Sequence, residues 1–451
     1  MKWQTTFISF IGYDNTGATL PTLYRTHYVS ELSPDMDGKE VVVAGWVHEI
    51  RNIGKIVFIL IRDHSGIAQI VGKEGVVSDD IIRSMNFPKE SVIMVRGKVK
   101  MSAESKSGFE IVPIEVKNLN PLESAIPFEV TGKVAAEIDV RLDNRHIDLR
   151  RLETTSIFNI QSTILNSFRS TMIKENFSEI RTPALVEAAT EGGADLFTVD
   201  YFEKKAFLAQ SPQLYKQLAV VGGMDRVFMV VPVFRAEKHN TVFHLNEVTQ
   251  MDAEMGFADH NDVIRLLKKA VKGIINDVAM KNGPDLERLG VSLAKPEIKE
   301  ITYRKALALL NANGNSLEFG QDLNREHEEA LCSLIGELVV VKEYPSSVRA
   351  FYSMPNGRDN TVCNSFDLIY KGLEISSGAQ RIHIPEVLIQ SIKEHGLDPQ
   401  QFGFYINAFR QGAPPHAGWS LGLERLTMKL TGMQNIRECS LFPRDRIRLK
   451  P

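Results

Sequence analysis

Phosphate-binding chemistry is first suggested by a segment in the second half of this 451-residue chain. In VFMVVPVFRAEKHNTVFHLNEVTQMDAEM (227–255), a strand ends in FRAE (234–237), a polar loop follows, and a second strand carries Glu247, Asp252 and Glu254. The arginine and glutamate at the turn of such an antiparallel hairpin could clamp a polyanion and read a base edge, because a guanidinium binds phosphate in a bidentate manner. A solvated hairpin is the alternative interpretation of the same residues.

A second segment, FDLIYKGLEISSGAQR (366–381), combines carboxylates, hydroxyls and an arginine. Alternation places Asp367 and Glu374 near the polar positions of a strand, and Ser377 and Arg381 follow. A carboxylate beside a hydroxyl predicts a Mg²⁺ site if phosphates complete the coordination shell. Considered alone, the segment is an ordinary edge strand.

Two further segments are weaker signals by themselves. PPHAGWSLGLERL (414–426) is typical of a strand that leads into a helix. Gly418 and Gly422 would let the backbone approach a ligand closely, and Arg425 lies at the start of the helix, where anions are favoured. ENFSEIRTP (175–183) combines a helix end, a strand and a proline break, for which packing is the simplest role. No GxxxxGK[ST] phosphate loop occurs in the sequence, which excludes a P-loop nucleotide fold.

Five strand-like runs precede these segments. A short helical piece lies between the third run and the fourth, and this order is the pattern of an OB-fold, a small barrel that commonly binds single-stranded nucleic acid. Another small β-barrel with a structural role is the alternative. The runs and the helical piece are VVVAGWVHEI (41–50), KIVFILIRD (55–63), IAQIVG (67–72), SDDIIRSM (78–85), SVIMVRGKVKM (91–101) and GFEIVPIEVKNLN (108–120).

Long helices are predicted in the remainder of the chain. An amphipathic helix is expected from Thr155 to about Lys174, and a second helix from about Asp259 to Lys281. Short strands and helices alternate to the end. The face of the first helix is formed by Ile157, Ile160, Ile164, Leu165 and Phe168.

Composition favours a globular protein with two or more domains. A single core rarely grows beyond roughly 250–300 residues, and no apolar run approaches the ~20 residues of a membrane helix. The net charge of −3 gives no overall basic signature, so a nucleic acid would have to bind local basic patches. Three separated cysteines, Cys332, Cys363 and Cys439, argue against a disulfide framework or a thiolate zinc site. We expect reduced thiols, a cytoplasmic location and no membrane partner.

Taken together, ENFSEIRTP, FRAE and GLGLER resemble, in order and spacing, motifs 1, 2 and 3 of the class II aminoacyl-tRNA synthetases. The blocks RLDNRHIDLR (141–150), ATEGGADLF (189–197), QSPQLYKQ (210–217), EISSGAQR (374–381) and LFPRDRIRLKP (441–451) resemble the archaeal-type aspartyl-tRNA synthetases.

The resemblance runs from about Tyr24 to Pro451 and implies an α+β multidomain protein. We expect an N-terminal OB-fold β-barrel that binds the anticodon, a hinge, and a class II catalytic domain built on an antiparallel sheet flanked by helices. The expected bounds are 1–23 for an extension that is disordered or a mis-assigned start, 24–122 for the barrel, 123–150 for the hinge, and 151–451 for the catalytic domain, with an insertion near 260–345.

The implied reaction joins aspartate to the α-phosphate of ATP and then transfers it to the 3′ end of tRNA. By resemblance, Arg235 and Arg425 are the catalytic residues, and Glu374 and Ser377 bind Mg²⁺. Phe243 stands where many relatives have an arginine that contacts phosphate. Adenine stacking is not assigned, because Val248 stands where relatives outside the archaeal type often have an aromatic residue. The implied ATP contacts are Arg235, Ala236, Glu237, Phe243, His244, Leu245, Glu374, Gly422, Leu423, Glu424 and Arg425.

Selection of aspartate is attributed to Lys216 and Arg381, because a buried pair of cations would bind a carboxylate and leave unpaired charge facing an amide. Asparaginyl enzymes carry an acidic residue near the position of Lys216. The implied aspartate contacts are Glu191, Gln213, Leu214, Tyr215, Lys216, Arg235, Ser377 and Arg381, with a further contribution from Asp252.

Anticodon reading is implied for five residues of the barrel. Phe58 would stack on a base, and Gln69 and Glu110 would read base edges. His48 and Lys106 concern the third anticodon base, which separates tRNA(Asp) from tRNA(Asn). Relatives that reject tRNA(Asn) tend to have tryptophan at the position of His48, so we expect a non-discriminating enzyme that aspartylates both tRNAs.

The resemblance also implies a twofold homodimer, with motif 1 and Pro183 in the interface. The alternatives are a strictly discriminating aspartyl enzyme, an asparaginyl-tRNA synthetase, an amide-forming paralogue, and a non-catalytic RNA-binding protein. The paralogue tends to lack the anticodon domain. The RNA-binding protein should have lost Arg235 or Arg425, and both are present.

Overall fold

A computed structural model of the chain describes residue 22 and residues 24–187, 196–238 and 241–451. The chain divides into two compact units, Met1–Thr155 and Ser156–Pro451. The predicted extension, apart from Thr22, and the predicted ligand Glu191 lie outside the described residues.

The first unit contains a closed barrel of five strands with the order β1-β2-β3-β5-β4. All neighbouring strands are antiparallel except β3 and β5, which is the topology of an OB-fold. The predicted strand order and the position of the helix are confirmed. The elements are β1 (Glu40–Ile53), β2 (Ile56–Arg62), β3 (Ile67–Lys73), α1 (Asp79–Ser84), β4 (Val92–Met101) and β5 (Phe109–Asn120).

Alternation decides which side chains fill the barrel and which remain on its surface. In β2, Ile59 and Ile61 are buried inside, whereas Phe58 and Leu60 are half-buried on the opposite side. Leu60 pairs across the ladder with Gln69 of β3. The outer surface of two adjacent strands therefore presents an aromatic ring and an amide side by side.

The second unit is built on an eight-stranded, mostly antiparallel sheet with the order β12-β13-β14-β15-β16-β11-β10-β6, and a small sheet has the order β7-β9-β8. The predicted fold class is confirmed. The strands are β6 (Ser178–Glu179), β7 (Leu185–Val186), β8 (Thr198–Tyr201), β9 (Lys204–Leu208), β10 (Arg226–Phe234), β11 (Glu247–Gly256), β12 (Ile298–Thr302), β13 (Leu338–Lys342), β14 (Ser365–Tyr370), β15 (Glu374–Gln380) and β16 (His416–Gly422).

Further helices follow along the chain, and the first two of them lie before the boundary between the two units. No helix in the described part of the chain is both long and apolar enough to cross a membrane. The helices are α2 (Ile138–Asp143), α3 (Arg145–Asp148), α4 (Leu152–Lys174), α5 (Gln213–Ala219), α6 (His260–Lys281), α7 (Gly283–Arg288), α8 (Tyr303–Ala312), α9 (Arg325–Ile335), α10 (Pro385–Glu394), α11 (Gly403–Arg410) and α12 (Leu423–Thr431).

The two long predicted helices, α4 and α6, form the main core with the sheet. Ile164 and Phe168 of α4 and Ile274 of α6 are fully buried there. The ring of Phe168 meets those of Phe228 and Trp419 edge-on, with centroid distances of 5.6 and 6.0 Å. This packing fixes the central strands β10 and β16, which border the candidate site.

Two interpretations of the sequence change in the structure. The segment 366–381 is not one edge strand. It forms two central strands, β14 and β15, joined by a turn in which Lys371 and Gly372 have φ values of 47° and 72°. The segment near 260–345, expected as an insertion, supplies α6 to the core and β12 and β13 to the sheet. Periodicity alone did not show that these strands extend the sheet.

Candidate active site

One cavity of about 290 Å³ brings together residues of the β10–β11 hairpin, β15, β16 and the first turn of α12. Among the described residues, five of the predicted contacts do not line it: Leu214, Tyr215, Lys216, Ala236 and Leu423. The predicted residues that line it are Gln213, Arg235, Glu237, Phe243, His244, Leu245, Glu374, Ser377, Arg381, Gly422, Glu424 and Arg425.

The β10–β11 turn is held by Asn246, a residue that sequence reasoning did not single out. Its side-chain amide donates to the carbonyl oxygen of Arg235 at 2.7 Å and to that of Glu237 at 3.3 Å. Its own carbonyl oxygen accepts from the amide of Arg235 at 2.9 Å. The backbone of the FRAE segment is therefore fixed, and Arg235 and Glu237 reach the cavity from a rigid turn.

At one end of the cavity, two cations and two carboxylates form a buried cluster. Lys216 Nζ lies 2.8 Å from Asp252 Oδ2 and 3.5 Å from Glu254 Oε2. Arg381 donates through Nε and Nη2 to both oxygens of Glu254, at 2.9 and 3.1 Å. Burial raises the pKa of Glu254, but the charges of Arg381 and Lys216 outweigh that effect and leave its pKa below the ordinary value.

This pairing replaces the predicted picture of two uncompensated cations. Lys216 and Arg381 carry two positive charges, Asp252 and Glu254 carry two negative charges, and the cluster is neutral as a whole. Lys216 lies behind the cavity wall, and Arg381 lines it. Cations buried this deeply require oppositely charged partners even when no ligand is bound.

Packing against this cluster requires a glycine at position 418. A Cβ atom at Gly418 would overlap the carboxylate of Glu254 and the carbonyl oxygen of Ala253. Gly418 does not line the cavity, and close approach of its backbone to a ligand stays a prediction. Gly422, in contrast, lines the cavity, and a Cβ there would have no neighbour nearer than 3.8 Å.

A hydrogen-bonded chain orients Gln213 beside the cluster. Gln213 donates to Gln217 Oε1 at 2.8 Å, and the Gln217 amide contacts His416 Nε2 at 2.9 Å. His416 Nδ1 lies 2.8 Å from the carbonyl oxygen of Pro414, which can only accept. Burial lowers the pKa of His416, so a neutral ring that donates from Nδ1 and accepts at Nε2 satisfies both contacts.

The predicted Mg²⁺ ligands share one cavity because β15 is irregular. Residues three apart in a regular strand face opposite sides, yet Glu374 and Ser377 both line the cavity. The register with β14 shifts so that Ile375 is an extra residue between the Glu374 and Ser376 pairings. A bulge of this kind re-aims the side chains around it.

Glu374 and Ser377 fit a hard cation whose other ligands are phosphate and water. Burial raises the pKa of Glu374, and the neighbouring charge of Asp367 raises it further, so a cation here would offset concentrated negative charge. Arg349, which was not predicted, pairs with Asp367 and lies 3.4 Å from Ser377 Oγ. Among the described residues, no group of three or more His, Cys, Asp or Glu side chains is arranged to hold a metal by itself.

The first turn of α12 supplies one guanidinium and one buried carboxylate. Arg425 Nη1 donates to the carbonyl oxygen of Glu374 at 2.9 Å, which fixes its position on the cavity wall. Both oxygens of Glu424 accept from the amide of Thr249, at 3.1 and 3.0 Å. Burial raises the pKa of Glu424 to about 7. Glu424 thus ties α12 to β11 and also lines the cavity, and its contact with ATP stays a prediction.

In the barrel, the predicted anticodon residues lie on four strands and one loop. Phe58 and Gln69 are half-buried on β2 and β3, and Lys106 is exposed in the loop between β4 and β5. Glu110 of β5 pairs with Lys100 at 3.1 Å across the β4–β5 ladder.

His48 is the extra residue of a bulge in β1, because the pairing with β2 shifts between Val47 and Glu49. Its Nδ1 atom lies 2.8 Å from Nη1 of Arg62, whose Nη2 atom contacts both oxygens of Glu90 at 2.9 and 2.8 Å. A guanidinium only donates, so Nδ1 of His48 accepts and the ring proton lies on Nε2. Burial, and then Arg62, lower the pKa of His48, which favours this neutral form.

Sequence reasoning missed Arg62, Glu90 and Arg349 because each lies in an otherwise ordinary segment. Glu90 has a φ of 66°, a conformation that residues other than glycine seldom adopt. The sequence offered one signal, Arg62 at the end of an apolar strand, and a charged residue is ordinary at the end of a strand. Their partners come from distant parts of each unit.

Comparison with protein families identifies the class to which this fold and site belong. The model for "tRNA synthetases class II (D, K and N)" matches residues 137–446, and that for "OB-fold nucleic acid binding domain" matches residues 41–119. The first model covers more than half of the chain, so the chain belongs to the class II tRNA synthetases. The resemblance read from the three motifs is confirmed.

Individual relatives are similar over nearly their whole length. The Aspartate--tRNA(Asp/Asn) ligase of Methanocaldococcus jannaschii is 47% identical over 430 residues, which are 95% of this chain and 98% of the relative. Among solved structures, asparaginyl-tRNA synthetase of Pyrococcus horikoshii with asparaginyl-adenylate has a TM-score of 0.90 at 30% identity, covering 95% of this chain and 99% of that chain. Aspartyl-tRNA synthetase of Entamoeba histolytica has a TM-score of 0.86 at 30% identity, covering 99% and 98%. Backbone shape therefore does not separate aspartyl from asparaginyl enzymes.

Proposed function

We propose that this chain is an aspartate–tRNA ligase that activates aspartate with ATP and transfers it to both tRNA(Asp) and tRNA(Asn). The observation that carries the proposal is the neutral Lys216–Asp252–Glu254–Arg381 cluster at the wall of the cavity. The name of the similar Methanocaldococcus jannaschii protein supports the same substrates.

The cluster favours a carboxylate for two reasons. Arg381 offers only N–H donors to the cavity, and its bonds to Glu254 use Nε and Nη2, so Nη1 is left for a ligand. A carboxylate accepts from such donors, whereas the NH₂ group of an amide would face another donor. Lys216 keeps the cluster neutral, and an acidic residue in its place would make the cluster repel aspartate.

Activation would depend on charge placement rather than on a protein nucleophile. Arg235 on the rigid hairpin turn would bridge the α-phosphate and the aspartate carboxylate, and Glu237 would accept from the adenine amino group. Arg425 would bind the γ-phosphate from the first turn of α12. Members of this class use ATP and Mg²⁺, and Mg²⁺ held by Glu374 and Ser377 would neutralise phosphate charge.

Amino-acid-dependent exchange of labelled pyrophosphate into ATP tests the choice of amino acid. We expect exchange with aspartate and at least a hundredfold lower kcat/KM with asparagine, which corresponds to roughly 3 kcal/mol for a donor left facing a donor. Equal or better exchange with asparagine would contradict the proposal. Exchange with neither amino acid would instead favour a non-catalytic RNA-binding protein.

Tolerance of both tRNAs is proposed to depend on the fixed ring of His48. Its Nε2–H group can donate to the O2 carbonyl oxygen of a pyrimidine, and cytosine and uracil both carry this oxygen. A donor held in one orientation by Arg62 would therefore bind the third anticodon base of either tRNA.

Aspartylation of purified tRNA(Asp) and tRNA(Asn) transcripts, side by side, tests this step. We expect comparable charging of both, and selective loss of tRNA(Asn) charging in His48→Trp. His64→Trp is the matched control, because His64 is exposed on the same unit and its ring contacts Tyr28. Absence of tRNA(Asn) charging by the unchanged protein would make the enzyme discriminating.

A homodimer is also proposed. Pro183 at the end of motif 1 and the nearby Leu185 are exposed, and Ile173 near the end of α4 is 62% exposed. Apolar side chains left open in this way suit an interface between copies. Sedimentation of the full chain should give twice the 50.6 kDa chain mass, and a Pro183→Asp variant should shift it toward the monomer.

A further inference from the structure

An arginine from outside the three motifs stacks on a residue that lines the cavity. Arg325 is the first residue of α9, and its guanidinium carbon lies 3.6 Å from the ring centroid of Phe243. Phe243 itself lines the cavity. Arg325 Nε donates to Glu329 Oε1 at 2.7 Å, one helical turn away, so both the stack and the ion pair fix this side chain.

Helix α9 is anchored to the candidate site by a second contact. Glu328, three residues after Arg325 and therefore on a neighbouring face, accepts from the backbone amide of Glu374 at 3.0 Å. Gly372, in the turn before Glu374, packs so closely on Glu329 that a Cβ atom would overlap it. The first turn of α9 thus has a fixed position relative to β15.

Another cation, Lys429, lies near Arg325. Lys429 follows Arg425 by one turn of α12 and donates to the carbonyl oxygen of Lys371 at 2.9 Å. Burial lowers the pKa of Lys429, and the charge of Arg325 lowers it further, so the two cations are close neighbours. Two neighbouring cations beside the cavity residue Phe243 suit a ligand with several negative charges.

We propose that Arg325 binds the β- and γ-phosphates of ATP, with the ring of Phe243 as the platform that holds its guanidinium in place. The proposal rests on the ATP-dependent function given above and adds a residue to that site. A guanidinium can stack through its face while its edge donates. The bonds to described residues use only Nε, so Nη1 and Nη2 remain for phosphate oxygens. Arg325 is 42% exposed, which leaves room for this contact.

The test measures aspartate-dependent pyrophosphate exchange in Arg325→Ala, together with the affinities for ATP, pyrophosphate and AMP. We expect the KM for ATP and the Kd for pyrophosphate to rise roughly tenfold to hundredfold, as for a lost charge-assisted contact. The Kd for AMP and the KM for aspartate should change less than about twofold, because neither ligand carries β- and γ-phosphates.

Arg304→Ala is the matched control, because Arg304 lies 4.1 Å over the ring of Phe319 in the same unit and neither residue lines the cavity. Its kinetics should match the unchanged protein. A second variant, Phe243→Arg with Arg325→Ala, moves the guanidinium onto the hairpin loop and should recover most of the ATP affinity.

Unchanged KM for ATP in Arg325→Ala, or equal losses for ATP and AMP, would overturn the proposal and make the stack a packing contact. These outcomes are distinct from failure of the proposed function, in which the unchanged protein itself would show no aspartate-dependent exchange.

Discussion

The two units each contain a buried arginine that is paired with a glutamate, and the two arginines serve their sites differently. In the barrel, Arg62 contacts Glu90 through Nη2 and His48 through Nη1, so any ligand meets the histidine and not the arginine. In the catalytic unit, Arg381 contacts Glu254 through Nε and Nη2 and still lines the cavity.

This difference matches the ligand proposed for each site. A substrate carboxylate carries a full charge, and a guanidinium on the wall compensates it directly. A pyrimidine base is neutral, and a single oriented N–H donor is sufficient to bind it. Under this proposal, indirect presentation through His48 would permit two bases, whereas direct presentation by Arg381 would favour a carboxylate over an amide.

The largest expected effect comes from removing the carboxylate shared by both cations. Glu254→Ala leaves Arg381 buried without its main partner, and it should lower the free energy of unfolding by about 3–5 kcal/mol. Thermal unfolding of the full chain measures this loss. Glu300→Ala is the control, because Glu300 pairs with Lys268 and Lys342 at the exposed edge of the sheet. A loss as small as that of the control would mean that the cluster is not a buried unit.

Glu424 is a buried glutamate whose pKa is raised, whereas that of Glu254 is lowered, so its contribution to stability should depend on pH in the opposite direction. The raised pKa of Glu424 means that its protonated form is favoured in the folded state, so its stabilising contribution is full below about pH 4.5 and is lost as pH rises through about 7. Glu424→Gln should remove up to about 3 kcal/mol of this pH dependence. Unfolding free energies of both proteins between pH 5 and pH 8, roughly the range of the shift, test it. Parallel pH curves would show that Glu424 keeps an ordinary pKa.

The barrel site should respond through tRNA and not through activation. Arg62→Gln removes the donor that fixes the ring of His48, and it should raise the KM for both tRNAs by about tenfold, as for one lost hydrogen bond to a charged group. Pyrophosphate exchange should remain within about twofold, since it needs no anticodon. Arg96→Gln is the control, because Arg96 forms half-exposed pairs with Glu40 and Glu115 on the same barrel. Equal effects of the two changes would reject a positioning role for Arg62.

The smallest effect is expected at the exposed pair of the barrel. Lys100 is 63% exposed, so Lys100→Ala should change stability by less than about 1 kcal/mol. It also removes the partner of Glu110, and the KM for tRNA reports whether Glu110 is then freer to contact a base. A loss of unfolding free energy as large as that of Glu254→Ala would contradict the expected difference between exposed and buried ion pairs.

Sequence patterns predicted elements well wherever one face is buried against one core. The barrel strands and the two long helices follow from alternation and from helical spacing, because burial of apolar side chains selects one register. The motifs predicted which class of protein this is, and the resemblance predicted twelve of the 27 residues that line the cavity. Patterns failed at 366–381, where one run of residues forms two central strands around the turn at Lys371 and Gly372.

The sequence by itself therefore determined the class, the two-unit organisation and the residue types needed for a carboxylate, ATP and an anticodon. Only the tertiary structure decided how those residues are used. The bulges at His48 and Ile375 re-aim side chains that alternation would direct elsewhere. The partners of Lys216, Arg381 and Arg325 come from distant segments, because buried charges are compensated by whatever the fold brings near them.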